Sequence, residues 1–147
     1  MPYSVLFICT GNYYRSRFAE EYFNFLADQK KRSFYAFSRG LRVINSSNPG
    51  SMSVHTLEKL DKMGIELKRP LTFPVKLRDS ELEKTDLTII LDEEEHRPMI
   101  QKDFPDWENK LTYWLVHDLD KTEPIEALEA IKLKVETLFE ELVGKFG

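Results

Sequence analysis

Cysteine is all but missing from this chain, which carries one, Cys9, in 147 residues. An internal disulfide is therefore excluded, as is a structural zinc site built mainly of thiolates. Any chemistry at Cys9 uses a lone sulfur. Long apolar runs are missing too. No stretch approaches the roughly 18 residues needed to cross a bilayer, and Val5 to Ile8 is too short, and lacks the basic leader, for a secretion signal. This reads as a cytoplasmic protein that does not bind membranes. Positive charge is not in excess either: 21 Lys and Arg stand against 25 Asp and Glu, a net charge of −4 with a pI near 5.5. The dense basic surface that a nucleic-acid backbone demands is not expected. Glycine and proline are few, at 6 and 7, which excludes collagen-like and low-complexity chains.

The remaining composition is 41% hydrophobic, 12% aromatic and 31% charged, that of an ordinary folded protein. The length suits one domain over residues 1–147 with one compact core.

Four short apolar segments alternate with amphipathic ones. Tyr3 to Ile8 reads as a buried strand running into the tight loop Cys9-Thr10-Gly11-Asn12. Phe18, Ala19, Tyr22, Phe23 and Leu26 then recur at helical spacing, with Glu20, Glu21, Asn24 and Asp28 between them. Ser33 to Ser38 suits a second strand, closed by Arg39 and Gly40, and Leu41 to Met52 reads as a long loop. Ser53 is placed to cap a helix bearing Val54, Leu57, Leu60 and Met63, with Gly64 just past its end. Asp79 to Lys84 is expected to make one or two helical turns after a connection through Pro70 and Pro74. Asp86 to Asp92 has the continuous apolar character of a strand covered on both faces. Glu93 to Gln101 is read as a helix despite Pro98, Leu111 to Val116 as a strand, and the segment from Pro124 as the last helix. This alternation predicts an α/β fold, a doubly wound four-stranded parallel sheet in flavodoxin-like order with helices on both faces. Its ligand is expected at the carboxyl ends of the strands.

Cys9-Thr10-Gly11-Asn12-Tyr13-Tyr14-Arg15-Ser16 joins the first strand to the first helix. Unpaired amides and the helix dipole at such a junction favour an anion. Gly11 permits close backbone approach and unusual dihedrals, and Asn12 tolerates a left-handed conformation that turns successive amides inward. Arg15 offers a planar fork to two phosphate oxygens. The same field favours an anionic sulfur at Cys9, to which Ser16 can donate a hydrogen bond. A lone cysteine at the end of an apolar strand is more commonly a buried structural residue. The strand before it, the helix after it and the Gly11, Asn12, Arg15 and Ser16 set favour chemistry.

Val5-Leu6-Phe7-Ile8-Cys9-Thr10-Gly11-Asn12, Arg15-Ser16 and Ala19-Glu20 together resemble the low-molecular-weight protein tyrosine phosphatase family. Ser38-Arg39-Gly40 resembles the family's Ser-Ala-Gly, and Leu91-Asp92 its Met-Asp, so the similarity spans essentially the whole chain. The resemblance implies phosphoryl transfer to Cys9 followed by attack of water, with no cofactor and no metal. Arg15 and the backbone of Thr10 through Tyr14 would bind the phosphate, while Asn12 and Ser38 would hold the loop in shape.

The family's acid is an Asp followed by Pro. Here Val116-His117-Asp118-Leu119-Asp120 matches, so Asp118 aligns best, Asp120 competes, and either could instead cap a turn. His117 either tunes that acid or faces solvent. His55 and His96 read as helix residues, Glu93-Glu94-Glu95-His96 as a solvated helix start, and Asp92 as a residue that orients the loop or caps the next helix. Tyr13 and Tyr14 replace a small aliphatic residue and a second cysteine of the family, so the family's vicinal disulfide cannot form. Asp120 and Lys121 replace its aromatic wall. Tyr13 could supply a stacking surface at the substrate rim or simply pack on its neighbour, and Arg17 is expected to add positive charge near the mouth.

The expected substrate is a phosphoprotein or small aryl phosphate, and the expected state a monomer or weak dimer. Arsenate reduction with an external thiol is one alternative, since a single cysteine cannot support an internal thiol cascade. The other is a catalytically weak module that binds phosphate or a phosphoprotein.

Overall fold

The computed structural model describes residues 2–43, 52–67, 73–117 and 123–146. Strand β1 (Tyr3–Cys9) buries Val5, Leu6, Phe7 and Ile8 completely, because both of its faces are covered. The two-residue period of a strand then sorts its side chains. Val5, Phe7 and Cys9 face a core shared with α1 (Arg15–Gln29) and α5 (Pro124–Phe146). Leu6 and Ile8 face a second core, where they meet Leu82 of α3 (Asp79–Lys84) and Ile100 of α4 (Glu93–Asp103).

With β2 (Phe34–Gly40), β3 (Leu87–Ile90) and β4 (Thr112–Tyr113), β1 forms a four-stranded sheet of order β2-β1-β3-β4, and every pairing is parallel. Parallel neighbours require crossover connections, and α1 and α4 supply two of them. The order reverses between β1 and β3, so the segments leaving these two strands part to opposite sides and open a crevice at their carboxyl ends. The doubly wound reading is the observed fold.

β4 is shorter than the expected Leu111 to Val116. β3 ends at Ile90 and turns into α4, leaving no straight ladder beyond Tyr113. Irregular pairing continues through Trp114 N to Ile90 O and Val116 N to Leu91 O, both 2.8 Å. This keeps Val116 at the sheet's edge.

The helices end for local reasons. Ser53 caps α2 (Val54–Lys62) by accepting from His55 N at 3.2 Å. Beyond α2, Gly64 at φ +73° lets Gly64 N and Ile65 N reach Asp61 O and Leu60 O. α1 closes in the same way, with Lys31 at φ 53° in the position glycine usually takes. α4 continues through Pro98 at the cost of one amide donor. The spacing of Asn24 predicts the polar side of α1, but the residue is buried. Its amide group accepts from Ala36 N and donates to Ala36 O, each at 2.9 Å, pinning α1 to the edge strand β2.

Candidate functional site

Cys9 ends β1 and the chain turns at once towards α1, whose first residue is Arg15. No side chain caps this helix, so its leading amides are not closed off from an anion in that way. Asn12 makes the turn at φ 52°, the left-handed conformation expected of it. Gly11 differs from expectation. Its φ is not left-handed, and a Cβ there would meet nothing within 4 Å. The glycine that the loop's packing requires is Gly40, at the end of β2. A Cβ on Gly40 would lie 2.8 Å from Thr10 O and 2.9 Å from Asn12 N, so the loop can rest on this strand end only if it carries no side chain.

The hydrogen bonds around Asn12 have a readable direction. Asn12 Oδ1 accepts from Val75 N at 2.9 Å, which fixes the amide's orientation. Its Nδ2 therefore donates both ways, to Ser16 Oγ at 3.0 Å and to Ser38 Oγ at 2.9 Å. Ser38 passes its own hydrogen to Glu20 Oε1. Ser16 Oγ, which accepts from Asn12, lies 2.9 Å from Cys9 Sγ; either group can donate while Cys9 is a thiol, and Ser16 is the donor once it is a thiolate. The sulfur, itself buried, thus faces a hydroxyl at the amino end of a helix.

Arg15, the residue before Ser16, is 2% exposed. Its Nη1 donates to Val116 O at 3.0 Å and lies 3.7 Å from Asp92 Oδ2, while Nη2 meets Glu95 Oε2 at 3.3 Å. Asp92 takes the capping role. It caps α4 by accepting from Glu95 N at 3.2 Å, and it lies beside Arg15. His117 Nδ1 sits 3.0 Å from Asp92 Oδ2 and its Nε2 sits 3.2 Å from Glu94 Oε1, so the ring is held rather than left to solvent. Asp92, Glu94 and His117 bring ligand-type atoms within 4.8 Å of one another. A neutral imidazole carries one ring hydrogen and so donates to one of these carboxylates at a time.

A profile of the low molecular weight phosphotyrosine protein phosphatases matches residues 4–145. The chain belongs to that family. Solved structures show the same fold: YfkJ from Bacillus subtilis is 24% identical, with a TM-score of 0.84 over 100% of this chain and 98% of its own. The low molecular weight protein tyrosine phosphatase from T. tengcongensis is 24% identical, with a TM-score of 0.75 over 98% and 99%. The YwlE arginine phosphatase from Geobacillus stearothermophilus is 25% identical, with a TM-score of 0.70 over 98% and 92%. No curated protein matches the chain significantly. Family membership supports phosphatase chemistry on a phosphorylated substrate. Among the described residues no helix is long and apolar enough to cross a membrane.

Against the low molecular weight phosphatase pattern, Cys9, Asn12, Ser16 and Ser38 share one hydrogen-bond network, while Thr10 and Arg15 meet on Glu95. Tyr13 is half-buried, and its carbonyl accepts from Ser53 N at 2.8 Å. Tyr14 is buried, with its hydroxyl 3.3 Å from Pro124 O and its ring edge-on to His55. Arg17 is not at the rim. It is buried, and its Nε lies 3.9 Å from Glu20 Oε1, because the first turn of α1 turns it inward. Asp118 and Asp120 lie outside the described residues.

Two residues of the site escaped the sequence reading. The charge pattern of Glu93 to His96 predicts a solvated helix start, yet His96 is completely buried and Glu95 reaches the loop. Thr10 Oγ1 bonds Glu95 Oε2 and lies 2.9 Å from His96 Nε2. Burial raises the Glu95 carboxyl, but hydrogen bonds from His96 and Thr10 and the charge of Arg15 outweigh it and hold the group at about 2. A signal was present in the sequence. Asp92-x-x-Glu95 after a buried strand is the signature of a capped helix whose first turn faces the strand ends.

Proposed function

We propose that the chain hydrolyses phosphomonoesters, phosphotyrosine or another aryl phosphate, through a phosphocysteine formed on Cys9. The observation that carries this reading is the Ser16 hydroxyl 2.9 Å from Cys9 Sγ at the start of a helix without a side-chain cap, whose first residue is the buried Arg15. The sulfur attacks phosphorus as the bond to the ester oxygen breaks. Arg15 and the amides of residues 10–15 take up the charge on the equatorial oxygens. Asp118 protonates the leaving oxygen, then removes a proton from the water that attacks the phosphocysteine and releases inorganic phosphate. Ser16 stabilises the departing thiolate. A thiol nucleophile suits the reducing cytoplasm, which is where we place the protein, as a monomer or weak dimer.

In the test, wild type, Cys9→Ser, Asp118→Asn and Asp120→Asn are assayed on an aryl phosphate. Cys9→Ser should abolish turnover while phosphate still binds; retained turnover would end the proposal. Asp118→Asn should slow poor leaving groups most, by about a hundredfold or more, with Asp120→Asn milder. Equal, small effects would mean that neither is the acid. A second reading, hydrolysis of phosphoarginine, is favoured by the similarity to an arginine phosphatase. Running a phosphoarginine substrate beside the aryl phosphate and comparing kcat/KM decides between them.

A further inference from the structure

Arg15 is the natural seat for a phosphoryl group, and a side chain already sits on it. Its Nη2 lies 3.3 and 3.4 Å from the two oxygens of Glu95. Charge-assisted pairs close to about 2.7–2.9 Å when they lock, so this contact is loose. The same Glu95 Oε2 accepts from Thr10 Oγ1 and lies 3.1 Å from His96 Nε2. His96 can only be a donor there, because its Nδ1 accepts from Asp92 N at 3.2 Å and the ring hydrogen is left on Nε2. A hydroxyl, an imidazole N–H and a guanidinium thus converge on one oxygen. That is a donor set for an oxyanion, built in part by Thr10, the residue that follows Cys9 in the chain.

We propose that Glu95 is a resident anion of the phosphate cradle: it holds Arg15 and Thr10 while the site is empty, and its carboxylate is displaced when a phosphoryl group binds. This rests on reading Cys9 to Arg15 as that cradle. Two anions on one guanidinium repel, so phosphate and Glu95 compete for Arg15. Glu95 belongs to the first turn of α4 and is 27% exposed, which gives its carboxylate a way out to water. Protonation does not release it at ordinary pH, since the group is held at about 2. The side chain has to move. Competition of this kind lowers the affinity for free phosphate and so speeds departure of the product.

The test is a calorimetric titration of inorganic phosphate into the full chain, wild type against E95Q and E95A, with KM and product inhibition on an aryl phosphate measured alongside. Removing the competing charge should tighten phosphate binding about tenfold, the scale of one charge-assisted contact. KM should fall with it, and inhibition by phosphate should deepen. If Glu95 merely props Arg15, E95Q binds phosphate more weakly, and equal or weaker binding in both variants overturns the proposal. Phosphate binding by none of the three proteins overturns the cradle itself and this role with it. Calorimetry needs no turnover, so failure of the Cys9 mechanism alone would leave the tighter binding of E95Q in place.

Discussion

Gly40 has room for a hydrogen and nothing larger on the side it turns to the loop. The atoms that a Cβ would strike are mainly backbone, Thr10 O and Asn12 N, which cannot swing aside as the tip of a side chain can. Gly40→Ala should therefore cost about 1–3 kcal/mol in stability and push the loop off its seat. The expected result is a lower urea midpoint together with weakened phosphate binding. Normal phosphate binding in a protein of unchanged midpoint would show that the loop does not depend on this contact. Asn12 represents the opposite case, a residue that serves by what it carries. Its amide links Val75, Ser16 and Ser38, and Ser16 in turn lies against the sulfur.

Among the elements, α1 bears most of the site, and its far end holds an avoidable strain. Lys31 occupies the left-handed position after the helix, where Arg32 N returns to Ala27 O at 2.9 Å. A side chain there costs about 1 kcal/mol relative to glycine. Lys31→Gly should recover about that much, seen as a raised melting temperature with activity unaltered; a fall in melting temperature would sink the idea. The helix caps show what the sequence made legible. Ser53 and Gly64 declared both ends of α2 because their chemistry is local. Arg17 and Asn24 did not declare their burial, because period alone cannot tell a charged or amide side chain facing solvent from one that finds a partner across the fold. Glu95 was misread for the same reason. Its partners, Thr10 and Arg15, lie 85 and 80 positions away.

At the scale of the molecule, β1 joins the two cores, contributing Val5 and Phe7 to one and Leu6 and Ile8 to the other. A defect on the α4 side should therefore be felt throughout. Ile100→Ala, at a completely buried position, is expected to cost about 3 kcal/mol. The unfolding transition should remain single, with the slope of wild type. Separate unfolding of α4 at low urea would contradict this coupling. The strand order and the crevice at the reversal between β1 and β3 were readable from alternation and motif, because parallel units and their handedness leave few arrangements. The short β4 was not, since nothing in Leu111 to Val116 reveals where its neighbour ends.

The two-residue period of β1 has one more consequence. A slip of one position against β2 would turn Cys9 away from Ser16 and into the layer beneath α4, leaving a shape that light scattering could not distinguish from the native protein. Because the chain holds no other thiol, titration with a small sulfhydryl reagent before and after adding phosphate would count the molecules whose first strand is in the correct register. A preparation could then be graded by a colour change in a cuvette, with no substrate turned over.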